Sequence, residues 1–171
     1  MGMQFGIWVE PEAVSVDSDL FRAHPDWSLA VPGQPNSEGR NTRLLDFCNP
    51  EVIDYLYHAL CRVFSCGVDY VKWDMNRGIS DCYSPFLPKE QQGETGHRFL
   101  LGLYSLLKRL TDRFPDILFY FCASGGNRAD LGMLCYMPQF WASDNSDALC
   151  RQQIQTNYSY GYPPSVLGCH V

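Results

Sequence analysis

Apolar residues follow two patterns along the chain, continuous runs and spaced stripes. A strand-like apolar run at 3–10, a stretch rich in strand-forming residues at 68–74 and a continuous apolar run at 117–122 predict strands, and the last is typical of a strand buried on both faces. Stripes with i, i+3, i+4 spacing predict one helix that begins at Asn49-Pro50 and a second over about 96–113. Asn49 suits the N-cap of the first helix, and Gly67 supplies its C-terminal stop.

The remaining segments carry weaker signals. Prolines and glycines predict loops over 17–46 and 78–95. We expect a short helix at 133–136, a strand at 140–144, a helix at about 146–158 and a strand at 165–169. Strands that alternate with helices predict a parallel α/β sheet of about five strands. Polar groups follow the strand ends, where such sheets carry chemistry: Glu10, Asp74, 124–126, Asp144 and His170.

The strand that ends at Asp74 places a cation beside a carboxylate. Side chains alternate along a strand, so Lys72 and Asp74 share one face and Trp73 takes the other. A nearby positive charge lowers the pKa of a carboxyl group, and Lys72 is therefore expected to keep Asp74 ionised. An ionised, positioned carboxylate can be a nucleophile, a metal ligand or half of a structural ion pair. From these residues alone, all three interpretations stay open.

Composition narrows the class of protein. A chain of 171 residues with 46% hydrophobic content predicts one globular domain. The net charge of −6 argues against nucleic acid or an acidic membrane as partner. No apolar run approaches the ~20 residues of a membrane span, and no signal peptide is evident. Eight cysteines without a C-x-x-C pair predict reduced, mostly buried thiols in a cytoplasmic protein, and no spacing supports a metal cluster or a cofactor site.

Four motifs occur in an order that resembles a known family. They are Trp-Val-Glu-Pro-Glu at 8–12, Lys-Trp-Asp-Met-Asn-Arg at 72–77, Gln-Gly-Glu with His-Arg at 92–98, and Met-Pro-Gln-Phe-Trp-Ala-Ser-Asp-Asn-Ser-Asp at 137–147. Together they resemble the α-galactosidases of glycoside hydrolase family 36. The resemblance covers essentially all 171 residues.

The resemblance implies a fold and an activity. It implies a retaining α-galactosidase on a (β/α)8 TIM barrel, acting on terminal α-galactosides such as melibiose and raffinose. Residues 1–171 resemble about strands three to seven of that barrel, so we expect a single incomplete catalytic domain. The first barrel strands and the flanking β domains of longer relatives are absent, and those relatives are often homo-oligomers.

The resemblance also assigns roles to individual residues. Asp74 matches the catalytic nucleophile and Asp144 the general acid/base. The positions that hold the sugar are matched by Trp8, Arg40, Lys72 and Cys122. Ser124 stands where a glycine lines the family's pocket, and its side chain is expected to crowd the sugar.

Other interpretations remain beside these roles. Asp144 resembles a helix-capping residue, and Asp147, expected inside the helix, is a rival acid. Glu10 and Glu12 are either ligand contacts or structural hydrogen-bond acceptors, Arg40 is otherwise a solvated loop residue, and His97 and His170 favour structural roles. The alternatives in function are an α-N-acetylgalactosaminidase, a raffinose-synthase-type transglycosidase and a catalytically inactive fragment.

Overall fold

A computed structural model describes residues 2–169, which divide into two units. We call residues 2–10, 66–76 and 114–169 the sheet unit, and residues 11–65 and 77–113 the helix unit. His170, which the sequence places after a strand, lies outside the described residues. In chain order the strands and helices are β1 (Gly6–Val9), β2 (Ala13–Ser15), α1 (Asp19–Ala23), β3 (Thr42–Leu44), α2 (Pro50–Phe64), β4 (Tyr70–Asp74), α3 (Thr95–Arg113), β5 (Leu118–Cys122), β6 (Gln139–Phe140) and α4 (Ala148–Ser159).

The sheet unit is built on a parallel sheet in the order β1-β4-β5-β6. Its central strands carry large apolar side chains, and Val71, Trp73, Phe119 and Phe121 are all buried. Burial on both faces suits a parallel sheet, and it explains why the run in β5 is apolar without alternation. The predicted parallel α/β architecture is confirmed, although within residues 2–169 this sheet has four strands and not about five.

Strand pairing decides which side chains become neighbours in the sheet unit. Trp8 pairs with Lys72, and Asp74 pairs with Cys122. Because parallel strands run in one direction, their carboxyl ends meet at the same edge of the sheet. That edge carries Asp74 and is where the polar residues after β1, β4, β5 and β6 gather.

The helix unit holds the two amphipathic helices that the stripes predict. Asn49 caps α2 by accepting a hydrogen bond from the backbone N–H of Glu51, and Pro50 occupies the first turn, where its missing N–H costs nothing. Gly67 adopts φ of 91° just after the helix, a conformation open to glycine. Helix α3 buries the predicted leucine stripe. Both predicted helices are confirmed.

The predicted loop over 17–46 is wrong in part, because it contains short regular elements. Ser18 caps α1, a 3-10 turn spans Pro25–Trp27, and β3 pairs antiparallel with β2. Similarly, a 3-10 helix spans Lys89–Glu94 inside the loop predicted at 78–95. Elements of three to six residues are too short to show a period, and single caps and distant pairing partners define them.

The C-terminal part departs from prediction in two places. The strand expected at 140–144 is limited to β6, and after Trp141 donates one further bond to Phe121 the chain leaves the sheet. The strand expected at 165–169 is instead a 3-10 turn at Pro164–Val166, followed by a single bridge between Leu167 and Phe140. Pro164 is the first residue of this turn, and the fixed φ of proline suits that position.

The cysteines are free thiols but are not mostly buried. Cys122 is the buried one, Cys48 and Cys61 are half-buried, and the exposed thiols are Cys66, Cys82, Cys135, Cys150 and Cys169. Apolar neighbours in the sequence therefore did not indicate burial. In the turn Met133–Cys135, for example, Met133 takes the interior position and leaves the thiol in solvent.

We expect Gly102→Ala to destabilise the protein by about 1–3 kcal/mol. A methyl group on Gly102 of α3 would lie 1.9 Å from the carbonyl oxygen of Phe47, a contact that only a backbone shift can relieve. Urea unfolding measures the change. Gly96→Ala is the matched control in the same helix, since its added methyl meets only the Cys82 sulfur at 3.7 Å. Equal effects of the two substitutions would contradict the close contact.

Candidate active site

Asp74 ends β4 as a buried carboxylate that is fully engaged by donors. The indole N–H of Trp8 donates to its Oδ2 at 3.0 Å, and the backbone N–H of Met75 donates to its Oδ1 at 2.9 Å. The side chain of Asn76 and the thiol of Cys122, the register partner of Asp74, also lower the pKa of this carboxyl group. Trp8 comes from β1 and Cys122 from β5, so the strands on both sides of β4 contribute to one carboxylate.

These donors control the charge of Asp74. Burial alone raises the pKa of its carboxyl group, but the hydrogen bonds from Trp8, Asn76, Cys122 and Met75 outweigh burial and leave the pKa below its usual value. Asp74 is therefore ionised at neutral pH. Because the native pKa is depressed, the carboxylate stabilises the fold above the pH range where an unfolded aspartate titrates, and this contribution is lost as the pH falls through the native value.

Lys72 shares a face with Asp74, as predicted, but it has a different neighbour. Its Nζ lies over the Trp141 ring, 5.8 Å from the centroid. Among residues 2–169, no ion pair joins Lys72 to Asp74. The ionised state of Asp74 thus follows from hydrogen bonds, and the explanation from Lys72 alone is incomplete.

Cys122 faces Asp74 from the adjacent strand as a protonated thiol. Burial first, and the nearby charge of Asp74 in addition, raise the pKa of Cys122 to about 11. A thiol that keeps its proton can donate to the carboxylate. Cys122 is therefore a hydrogen-bond donor at this edge and not a nucleophile.

Asn76, two residues beyond Asp74, belongs to the site although the sequence assigned it no role. Its backbone and side-chain N–H groups both donate to the carboxylate of Glu10, and its Oδ1 accepts from the Ser124 hydroxyl at 2.8 Å. Ser124, expected to crowd a sugar, is thus tied to Asn76. The available signal was the polar residue directly after the strand that carries Asp74.

Asp144 follows β6 on an exposed stretch of chain. Its Oδ1 accepts a hydrogen bond from the indole N–H of Trp141 at 2.9 Å, so Trp141 meets it through a polar edge and not through an apolar face. Two cations lie on the same indole, because Arg151 stands over the ring at 4.6 Å and Lys72 at 5.8 Å. Trp141 therefore links Asp144 to the face of the sheet that bears Lys72 and Asp74.

Asp147, the rival acid, is the helix cap. Its carboxylate accepts from the backbone N–H of Cys150 at the start of α4, and these bonds lower its pKa. The prediction that Asp147 lies inside the helix is wrong by one position. Since Asp147 caps α4, Asp144 is not needed for that purpose.

Two glycines bring the loop after β5 against the loop that carries Asp144. A methyl group on Gly125, which has φ of 81°, would lie 2.8 Å from the Cα of Ser143, and one on Gly126 would lie 2.0 Å from the Tyr158 hydroxyl. The buried Arg151 holds the same region by donating to the carbonyl oxygens of Ser143 and Gly168. Asp144 is thereby held near the strand end that bears Cys122.

Two predicted residues fall outside this group. Arg40 belongs to the helix unit, where it is exposed with φ of 56°, and its role stays a prediction. Glu12, also of the helix unit, is fully buried. No set of three or more His, Cys, Asp or Glu side chains within residues 2–169 could hold a metal ion.

The site and fold together define a class of protein. An ionised aspartate and a second, exposed aspartate stand beyond the strand ends of a parallel sheet, as they do in α/β enzymes that work with paired carboxylates. The chain belongs to the melibiase family, whose model matches residues 1–171.

Named relatives match this chain in sequence over all or nearly all of its length. It is 52% identical over 172 residues to α-galactosidase AgaA of Geobacillus stearothermophilus and 50% identical to α-galactosidase 1 of Pediococcus pentosaceus. These matches cover 100% and 99% of the chain but only 24% and 23% of the relatives. The chain thus spans about a quarter of the length of these relatives.

Solved structures of the same family also match this chain over nearly its whole length. The crystal structure of the family 36 α-galactosidase AgaB of the same Geobacillus species superposes with a TM-score of 0.97 at 53% identity, over 99% of this chain and 24% of AgaB. Variants of AgaA have been solved in complex with raffinose and with stachyose. In the described part of this chain, no helix is both long and apolar enough to cross a membrane.

We expect Trp8→Phe to raise the pKa of Asp74. The substitution keeps an aromatic ring but removes the N–H that favours the ionised carboxylate. Carboxyl-carbon NMR titration follows Asp74 directly. Trp141→Phe is the matched control, since that indole donates to Asp144. An unchanged Asp74 titration in Trp8→Phe would show that the indole bond does not set its charge.

Proposed function

We propose that this chain is the catalytic core segment of a retaining α-galactosidase, with Asp74 as nucleophile and Asp144 as general acid/base. The observation that carries the proposal is the buried Asp74 at the edge of a parallel sheet, where it accepts hydrogen bonds from Trp8 of β1 and from the Met75 N–H just beyond β4. A carboxylate fixed in this way keeps its negative charge without a cation bonded to it, as a nucleophile requires.

Three observations support Asp144 as the second carboxyl. It is exposed, so it can exchange protons with water and substrate, and Asp147 leaves it free of a capping role. The AgaA complexes with raffinose and stachyose each carry a substituted aspartate. Those two aspartates are separated in AgaA by the same number of residues as Asp74 and Asp144 are here.

The reaction then proceeds in two displacements. Asp74 attacks the anomeric carbon of an α-galactoside, and Asp144 gives its proton to the departing glycosidic oxygen. The galactosyl group is left as an ester of Asp74. In the second step, Asp144 takes a proton from water, the water oxygen attacks the same carbon and Asp74 leaves, so the anomeric configuration is retained.

The remaining predicted residues contribute to sugar binding in this proposal. Trp8 offers an exposed aromatic surface, and Lys72 and Arg40 offer donors to sugar hydroxyls. Cys122 and Ser124 line the edge next to Asp74. Terminal α-galactosides such as melibiose, raffinose and stachyose are the proposed substrates, by analogy with the relatives.

The proposal extends to the protein's context. We assign the chain to about strands three to seven of a (β/α)8 barrel, within a single catalytic domain that needs further strands and that forms homo-oligomers in longer relatives. Within residues 2–169, β1 has a strand neighbour on one side only, as expected for part of a closed sheet. The free thiols, five of them exposed, favour a reducing compartment such as the cytoplasm.

We expect Asp74→Asn to lower kcat on p-nitrophenyl α-galactoside by more than about a thousandfold, because an amide cannot form the glycosyl ester. In the unsubstituted protein, NMR of the first product should show α-galactose. Release of the β anomer, or an active Asp74→Asn protein, would refute the assignment of Asp74.

We expect Asp144→Asn to slow melibiose hydrolysis far more than p-nitrophenyl α-galactoside hydrolysis in the galactosylation step. A good leaving group departs without a proton, so that step tolerates loss of the acid. Single-turnover kinetics isolates the step. Asp147→Asn is the control, and it should leave the rates on both substrates nearly unchanged, because the asparagine Oδ1 can still accept the hydrogen bond that caps α4. Equal loss on both substrates in Asp144→Asn would exclude Asp144 as the acid.

A further inference from the structure

Glu10, which follows β1, binds Asn76 through both of its carboxylate oxygens. Oε1 accepts from the Asn76 backbone N–H at 2.6 Å, and Oε2 accepts from Asn76 Nδ2 at 3.2 Å. The two bonds fix the backbone and the side chain of one residue at once. Glu10 is half-buried and belongs to the same unit as Asn76.

This contact decides which way the Asn76 amide faces. A carboxylate only accepts hydrogen bonds, so the Nδ2 side of the amide must face Glu10. Oδ1 is then directed away from Glu10, where the Ser124 hydroxyl donates to it at 2.8 Å. Ser124 adopts φ of 50° and anchors this second side from the loop after β5.

The orientation of the Asn76 amide decides whether Asp74 faces a donor or an acceptor. A primary amide has two N–H bonds, and with one directed to Glu10 the other is available to Asp74, whose pKa the Asn76 side chain lowers. If the amide were rotated by half a turn, its oxygen would stand where that donor now stands. The lone pairs of the oxygen would then face the Asp74 carboxylate.

We propose that Glu10 is a positioning residue, which holds the Asn76 amide with its nitrogen toward Asp74 and its oxygen toward Ser124. This inference uses the proposed function only to give Asp74 a task, since the geometry itself does not depend on turnover. Glu10 acts through Asn76 and makes no bond to the nucleophile.

The substitution Glu10→Gln tests the proposal because two explanations predict opposite signs. Glutamine keeps the shape but brings an N–H₂ group, which turns the Asn76 amide and removes a donor from Asp74. The pKa of Asp74 should therefore rise. If Glu10 were merely a nearby negative charge, its removal would lower the pKa of Asp74. The other charged or titratable groups near this edge, Lys72, Cys122, Arg128 and Asp144, are the same in both proteins.

Carboxyl-carbon NMR titration of Asp74 in the complete chain gives the readout. Glu90→Gln, at an exposed position of the helix unit, is the matched control and should leave the titration unchanged. A folded Glu10→Gln protein in which the pKa of Asp74 stays the same or falls would overturn the proposal. Amide spectra establish that the variant is folded.

A second measurement needs no variant and applies if Glu10→Gln fails to fold. Scalar couplings across hydrogen bonds should connect Asn76 Nδ2 to the carboxyl carbons of both Glu10 and Asp74. Absence of both couplings in the unsubstituted protein would refute the orientation. Neither readout requires hydrolysis, so an inactive chain with the predicted couplings would reject the proposed function and leave this inference standing. An active chain without the predicted couplings would reject this inference and leave the proposed function standing.

Discussion

The structure depends on one constraint, which is that the carboxylate at the end of β4 must find donors at the edge of a parallel sheet. Those donors come from two strands and from the segment just after a third: Trp8 of β1, Cys122 of β5, and Met75 and Asn76 beyond β4. The strand register therefore sets the geometry of the site, because it decides which donors reach Asp74. A slip of one residue would turn Trp8 to the other face and remove its indole N–H from Asp74.

The same edge gives two similar acids different surroundings. Asp74 is enclosed by donors, whereas Asp144 stands in solvent with one hydrogen bond from Trp141. The glycine loop after β5 and the buried Arg151 fix the approach of the two strand ends. Different surroundings for two carboxyl groups are what acid–base catalysis with paired carboxylates requires.

The elements that could be predicted from the sequence are those whose structure depends on residues close together in the chain. The Asn49-Pro50 start of α2, the stripe of α3 and the buried run of β5 depend on neighbours within a few residues, and all three were predictable. The Ser18 cap and the β2–β3 pair were missed because they are short. The hydrogen bonds from Asn76 to Glu10 were missed because Glu10 lies 66 residues away in the chain. The exposed thiols were mispredicted, since sequence neighbours do not fix the direction of a side chain.

The tight loop at 123–126 limits the substitutions that can be made within it. Ala123 is buried, and neither Gly125 nor Gly126 has room for a single added carbon. Ser124 is the exposed member, and its positive φ admits glycine, asparagine or aspartate more readily than branched residues. Ser124 is thus the position of this loop where a substitution meets the least steric resistance, whereas a larger residue at any of the other three positions would have to displace packed neighbours.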